Sequence, residues 1–91
     1  MDFKEHKAHG NALFKEAEFA LAQAVYTTCL ADCGELAPSD RAIILCNRAA
    51  CGLALKDFSI VVSDCLECLN LDPLSIKGHY RCEGAWGGRE L

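Results

Sequence analysis

Slid along itself until Phe19 lies opposite Phe58, the sequence matches a second time. Gly10 then faces Ala49, Ala22 faces Val61, Tyr26 faces Cys65 and Cys29 faces Cys68. The offset is 39 residues, a unit of about 34 plus a longer connecting loop, and self-similarity of this kind marks a stacked architecture, in which each unit buries its apolar face only against its neighbours. Each unit reads as a helix, a short turn and a second helix. The extra residues Asp32–Ala37 lengthen the loop between units. A small residue at Gly10 and Ala49 lets two helix backbones approach, and an aromatic at Phe19 and Phe58 plugs the gap between helix pairs.

Apolar spacing supports helices throughout. Leu13, Phe14, Ala17, Ala20, Leu21, Ala24, Val25 and Thr28 recur near the 3.6-residue period, and alternating runs are absent except at Ile60-Val61-Val62. The fold class expected is all-α. The first helix runs from about Asp2 to Lys15, with a break at Glu16-Ala17-Glu18, and the second from about Phe19 to Ala31. Gly34 and Pro38 mark a loop. Ser39 is the expected N-cap of a third helix over about Asp40 to Leu55, with Asp40 favoured in its first turn. Lys56-Asp57 turns the chain into a fourth helix, about Phe58 to Leu69, which Asp72-Pro73 stops. A fifth begins near Leu74. Gly84, Gly87 and Gly88 weaken its far end by about 1 kcal/mol each, so it frays after Trp86.

Composition narrows the function. The chain has 91 residues, enough for one small domain and too few for a two-walled catalytic cleft. A net charge of −4 argues against non-specific nucleic-acid binding. No run of about 18 apolar residues occurs to span a membrane, and the charged start Met1–Lys7 lacks the apolar region of a secretory signal. Seven cysteines without a signal point to a reducing, cytoplasmic setting rather than a disulfide framework. Cys65-Leu66-Glu67-Cys68 has the C-x2-C spacing, and Cys29 and Cys33 are also close. All sit in apolar-periodic stretches without the glycine and polar residues of a zinc knuckle, so they read as small buried side chains in helix contacts.

The polar residues of the first helix in each pair carry the functional signal. Lys7 and Asn11 are four apart and share a face, as do Lys77 and Arg81; Asn47 stands on the third helix. Stacked repeats set their first helices side by side along a concave trough. Two lysines, one arginine and two asparagines would converge there. Such a set has no general base, nucleophile or metal ligand. It supplies charge and amide donors that hold carboxylates without transforming them. Arg48 reads as a helix-to-helix contact beside this set.

Three stretches carry a resemblance: Lys7-Ala8-His9-Gly10-Asn11, Asn47-Arg48-Ala49-Ala50 and Lys77-Gly78-His79-Tyr80-Arg81. The chain resembles the tetratricopeptide repeats of co-chaperones with a two-carboxylate clamp, whose motifs read Lys-x-x-x-Asn, Asn-Arg-Ala-Ala and Lys-x-x-x-Arg. The resemblance runs from about residue 3 to 86 and implies an α-solenoid. Its units are repeat 1 at about 3–37, repeat 2 at about 39–73, and the start of a third repeat or a capping helix at 74–91.

The implied ligand is the C-terminal Glu-Glu-Val-Asp of heat-shock protein 90 or 70. Lys7, Asn11, Asn47 and Lys77 would grip the terminal carboxylates. Arg81 would reach a side-chain carboxylate or a peptide carbonyl. Phe14, Ala50 and Leu53 would floor a pocket for the valine. No cofactor, metal or enzymatic activity is implied. The family's opening Trp is missing from each unit, and Ala54 stands where the family often has a lysine that contacts the peptide. Helix five lacks a partner helix and would bare Ile76, Tyr80 and Trp86. Either the natural protein continues past Leu91 or these surfaces pair between chains. The alternatives are a scaffold for an internal peptide, a targeting module of a larger enzyme, and, last, a cysteine-based zinc or thiol protein.

Overall fold

Asp2 starts the first helix from outside it. Its Oδ1 accepts the Glu5 amide at 2.9 Å, and α1 then runs Phe3–Lys15, with Glu5 in its first turn and Lys15 in its last, where the helix dipole favours each. This computed structural model describes residues 2–32 and 34–74. The second helix, α2, spans Phe19–Asp32, α3 spans Pro38–Leu55 and α4 spans Phe58–Leu71. Those four helices are the only regular elements among the described residues. The expected fifth helix, with Lys77, Arg81 and Trp86, lies outside them.

The two intra-pair turns have one construction. Ala17 sits at φ 60° and Lys56 at φ 59°, the left-handed conformation that usually calls for glycine. After α1, the Glu18 amide donates to Leu13 O at 2.9 Å and the Ala17 amide to Phe14 O at 3.0 Å. After α3, the Asp57 amide donates to Gly52 O at 2.8 Å and the Lys56 amide to Leu53 O at 3.2 Å. These bonds satisfy carbonyls that the helix ends orphan. Asp57 also starts α4, its side chain accepting the Ile60 amide at 3.4 Å.

The α3 boundary differs from expectation. Pro38, not Ser39, opens the helix, preceded by Ala37, which makes no side-chain cap. Proline at the first helical position has its φ already set and lacks the N–H that would be orphaned there. Ser39 is therefore inside the helix and cannot cap it. At the far end α4 runs to Leu71, two residues further than the periodicity indicates. Asp72, at φ −141°, then leaves the helix as the residue before Pro73 must.

Neighbours in sequence are neighbours in space. α1 packs on α2, α2 on α3 and α3 on α4, while α1 and α3 touch lightly along one edge. Two antiparallel pairs thus stack as the beginning of an all-α solenoid. α2 packs on both α1 and α3, burying Ala22, Tyr26 and Cys29, while its Leu21 stays 54% exposed.

The matched contact differs between the pairs in a compensating way. In the first, a Cβ on Gly10 would lie 2.7 Å from Tyr26 Cζ, so the ring lies directly on the glycine backbone. In the second, Ala49 packs with Cys65 and Val61. The larger side chain faces the smaller partner each time, which keeps the helices close.

Cys29, Cys46, Cys51, Cys65 and Cys68 are all buried in these clusters, packed as small apolar side chains. Cys33 and Cys82 lie outside the described residues.

Candidate functional site: a groove between α1 and α3

A helix brings residues four and seven apart onto one face. On α1 these are Lys7, Asn11 and Phe14; on α3 they are Ile43, Asn47 and Ala50. The two rows face each other across a groove of about 450 Å³, with Lys15 at one end and Tyr26 of α2 reaching in between. Five of the expected site residues, Lys7, Asn11, Phe14, Asn47 and Ala50, therefore line one space.

The donors sit over an apolar floor. Ala50 is buried, and Phe14 is held by an edge-to-face contact with Phe19, ring centroids 5.1 Å apart. Lys7 Nζ lies 5.6 Å from the Phe3 ring centroid, a cation–π contact. The ion pairs among the described residues are Arg41–Glu67 and Arg48–Asp64, so no described carboxylate neutralises Lys7. Asn47 Nδ2 donates to Asn11 Oδ1 at 3.3 Å, and the Tyr26 hydroxyl donates to the same oxygen at 2.5 Å. Burial of Tyr26 pushes its phenol up to about 12, so the hydroxyl keeps its proton at neutral pH.

The run Asn47-Arg48-Ala49-Ala50 divides its labour by direction. Asn47 and Ala50 face the groove. Ala49 is buried against α4. Arg48 forks onto Asp64 of α4, with Nε to Oδ2 at 2.7 Å and Nη2 to Oδ1 at 2.6 Å, and its Nη1 donates to Thr27 of α2 at 3.2 Å. Asp64 is 1% exposed. Its hydrogen bonds to Arg48 raise the guanidinium's pKa further. This confirms Arg48 as a contact between helices rather than a groove residue.

Leu53 does not join the groove lining. It is half-buried and packs with Phe58 against the Ala49, Val61 and Cys65 cluster between α3 and α4. Lys77 and Arg81 fall outside the described residues. Sequence reasoning missed three lining residues. Ile43, four before Asn47, and Lys15, eight after Lys7, carried a helical-spacing signal. Tyr26 carried no such signal, because its approach to the groove depends on Gly10 of another helix.

Stacked antiparallel helix pairs, a repeated small-against-large contact and a groove between first helices define the tetratricopeptide-repeat class. Similarity to known proteins agrees. The Hsp70/Hsp90 co-chaperone CNS1 of Saccharomyces cerevisiae is 33% identical over 81 residues, which cover 88% of this chain and 20% of that protein. Heat shock protein STI1 of the same yeast is 31% identical over 81 residues, 89% of this chain and 13% of that one. Sperm-associated antigen 1A of Danio rerio is 36% identical over 74 residues, 78% and 17% of the two chains. The solved structure of the Hsp90 co-chaperone Cns1 from Saccharomyces cerevisiae superposes with a TM-score of 0.86 at 32% identity, covering 96% of this chain and 28% of that one. No family model matches the chain. The chain is a tetratricopeptide-repeat domain with co-chaperones among its relatives, and it spans a fifth or less of the length of the curated relatives named above. No helix among the described residues is long and apolar enough to cross a membrane.

Proposed function

We propose that this domain is a co-chaperone adaptor, a binding module without catalysis of its own. It captures the C-terminal Glu-Glu-Val-Asp of heat-shock protein 90 or 70 in the cytoplasm. Lys7, Asn11 and Asn47, joined by Lys77, hold the terminal carboxylates, and Arg81 engages a carboxylate or carbonyl further along the tail. Phe14 and Ala50 receive the valine. Leu53 enters only through the packing of α3 on α4.

The observation that carries this reading is the convergence of Lys7, Asn11 and Asn47, from two helices, above an apolar floor. A charged donor bonded to a carboxylate contributes about 1.5–3 kcal/mol. Ordering an extended peptide costs several kcal/mol, so the expected affinity is micromolar.

Calorimetry with a Glu-Glu-Val-Asp peptide tests the reading. Lys7→Ala, and likewise Lys77→Ala, weakens binding at least about tenfold, or ~1.4 kcal/mol, with little change in melting temperature. Amidating the peptide's C-terminus removes most of the binding. Equal affinity for the acid and the amide would instead mark a groove for internal peptides. Affinity unchanged in Lys7→Ala would remove the clamp.

A further inference from the structure

Three polar groups meet at one atom. The Tyr26 hydroxyl and Asn47 Nδ2 both donate to Asn11 Oδ1. A carboxamide oxygen has two lone pairs, so its accepting capacity is filled. Among the described residues Asn11 Nδ2 has no partner, and the side chain lines the groove. With both donors bound to one end of the amide, its other end is presented to a ligand. Reversing the amide would set its NH2 group against the Asn47 NH2 and bring an oxygen toward any incoming anion.

Tyr26 reaches this atom because of Gly10. The ring crosses α1 at the position where any side chain would obstruct it, which carries the hydroxyl from α2 to the groove. In the second helix pair Cys65 occupies the matching place, and it cannot extend so far. Of the two described pairs, the first therefore carries the feature and the second does not.

We propose that Tyr26 is a positioning residue for carboxylate capture, holding Asn11 with its amide nitrogen, not its oxygen, toward the anion. This rests on the clamp reading above. The hydroxyl suits the role because it is 1% exposed as a residue and keeps its proton at neutral pH. The ligand class follows: a free carboxylate, acceptor-only and charged, fits best, whereas a carboxamide offers one acceptor oxygen in place of two and no charge.

Tyr26→Phe leaves the ring on Gly10 and removes only the hydroxyl. By calorimetry, affinity for the Glu-Glu-Val-Asp peptide falls about five- to tenfold, while the melting temperature moves by no more than a few degrees. In an Asn11→Ala background the same substitution changes affinity less than about twofold, because the group it positioned is gone. Without peptide, the Asn11 side-chain amide signals in nitrogen–proton NMR spectra shift in Tyr26→Phe. Wild-type affinity in Tyr26→Phe, equal losses in both backgrounds, or unmoved Asn11 signals would each overturn the positioning role. Failure of the wild-type protein to bind the peptide at all is a different result, which brings down the clamp reading and this inference with it.

Discussion

Ala17 and Lys56 hold the left-handed backbone that ends α1 and α3, and both are exposed. An L-residue there carries about 1–2 kcal/mol of strain from its Cβ against the following carbonyl. Replacing it by glycine removes that strain and adds about 0.4–1 kcal/mol of unfolded-chain entropy. The two effects oppose each other and the first is larger. Ala17→Gly, which gives up no buried contact, is therefore expected to stabilise the domain by about 0.5–1 kcal/mol. Urea denaturation reads this as a raised midpoint at constant slope, and an equal or lower midpoint would contradict it. Gly10 presents the opposite case. Its backbone is helical, and glycine is needed there for space, since the Tyr26 ring fills the place of a Cβ.

At the level of elements, the Arg48–Asp64 fork ties α3 to α4 and, through Thr27, to α2. Its side chains are 18% and 2% exposed, against 37% and 42% for Arg41–Glu67. The exposed pair contributes about 0–1 kcal/mol. Breaking the buried one leaves a desolvated carboxylate without its counter-charge, a cost of about 3–5 kcal/mol. Arg48→Ala should therefore lower the melting temperature far more than Arg41→Ala, and the double variant Arg48→Met with Asp64→Leu should recover much of the loss. Equal, small effects of the two arginine substitutions would show that the clasp does not hold the stack.

The helices themselves were legible in the sequence. Periodicity, Asp2 and Pro73 are local signals, the match of Phe19 with Phe58 is a repeat visible in the sequence itself, and α1 to α4 lie close to where those signals put them. What escaped was set by partners distant in the chain. Nothing near residue 64 announces a guanidinium from residue 48. Nothing near Tyr26 says that its hydroxyl emerges beside Asn11, because that depends on a bare glycine on another helix. Ser39 misled because it is a good cap by type, while proline's fixed φ had already begun the helix one residue earlier. The Lys7, Asn11 and Asn47 set was legible because its spacing obeys the helix period. Leu53 is the described member of the expected set that packs toward α4 instead of lining the groove, a difference that spacing along α3 alone does not reveal.

At the scale of the whole molecule, charge poses a question for the proposed ligand. The chain carries a net −4, and an acidic peptide must approach it. Attraction has to be local. Lys7 and Lys15 line the groove in which the proposed tail would lie, and no described acidic residue lines it. Coulomb energy falls with distance, and salt attenuates remote charges further, over a Debye length of about 10 Å at 0.1 M. The nearby cations thus dominate at physiological ionic strength. They are not sealed from water, since Lys7 is half-buried and Lys15 exposed, so salt weakens them too. Peptide affinity is expected to fall steadily as sodium chloride rises from about 0.1 to 1 M, where the Debye length shrinks to about 3 Å. The slope should be shallower in Lys7→Ala, which has lost one of the screened charges. Affinity that rises with salt would mean that the overall repulsion, not the groove, governs encounter. A slope identical in both proteins would mean that Lys7 does not touch the anionic end.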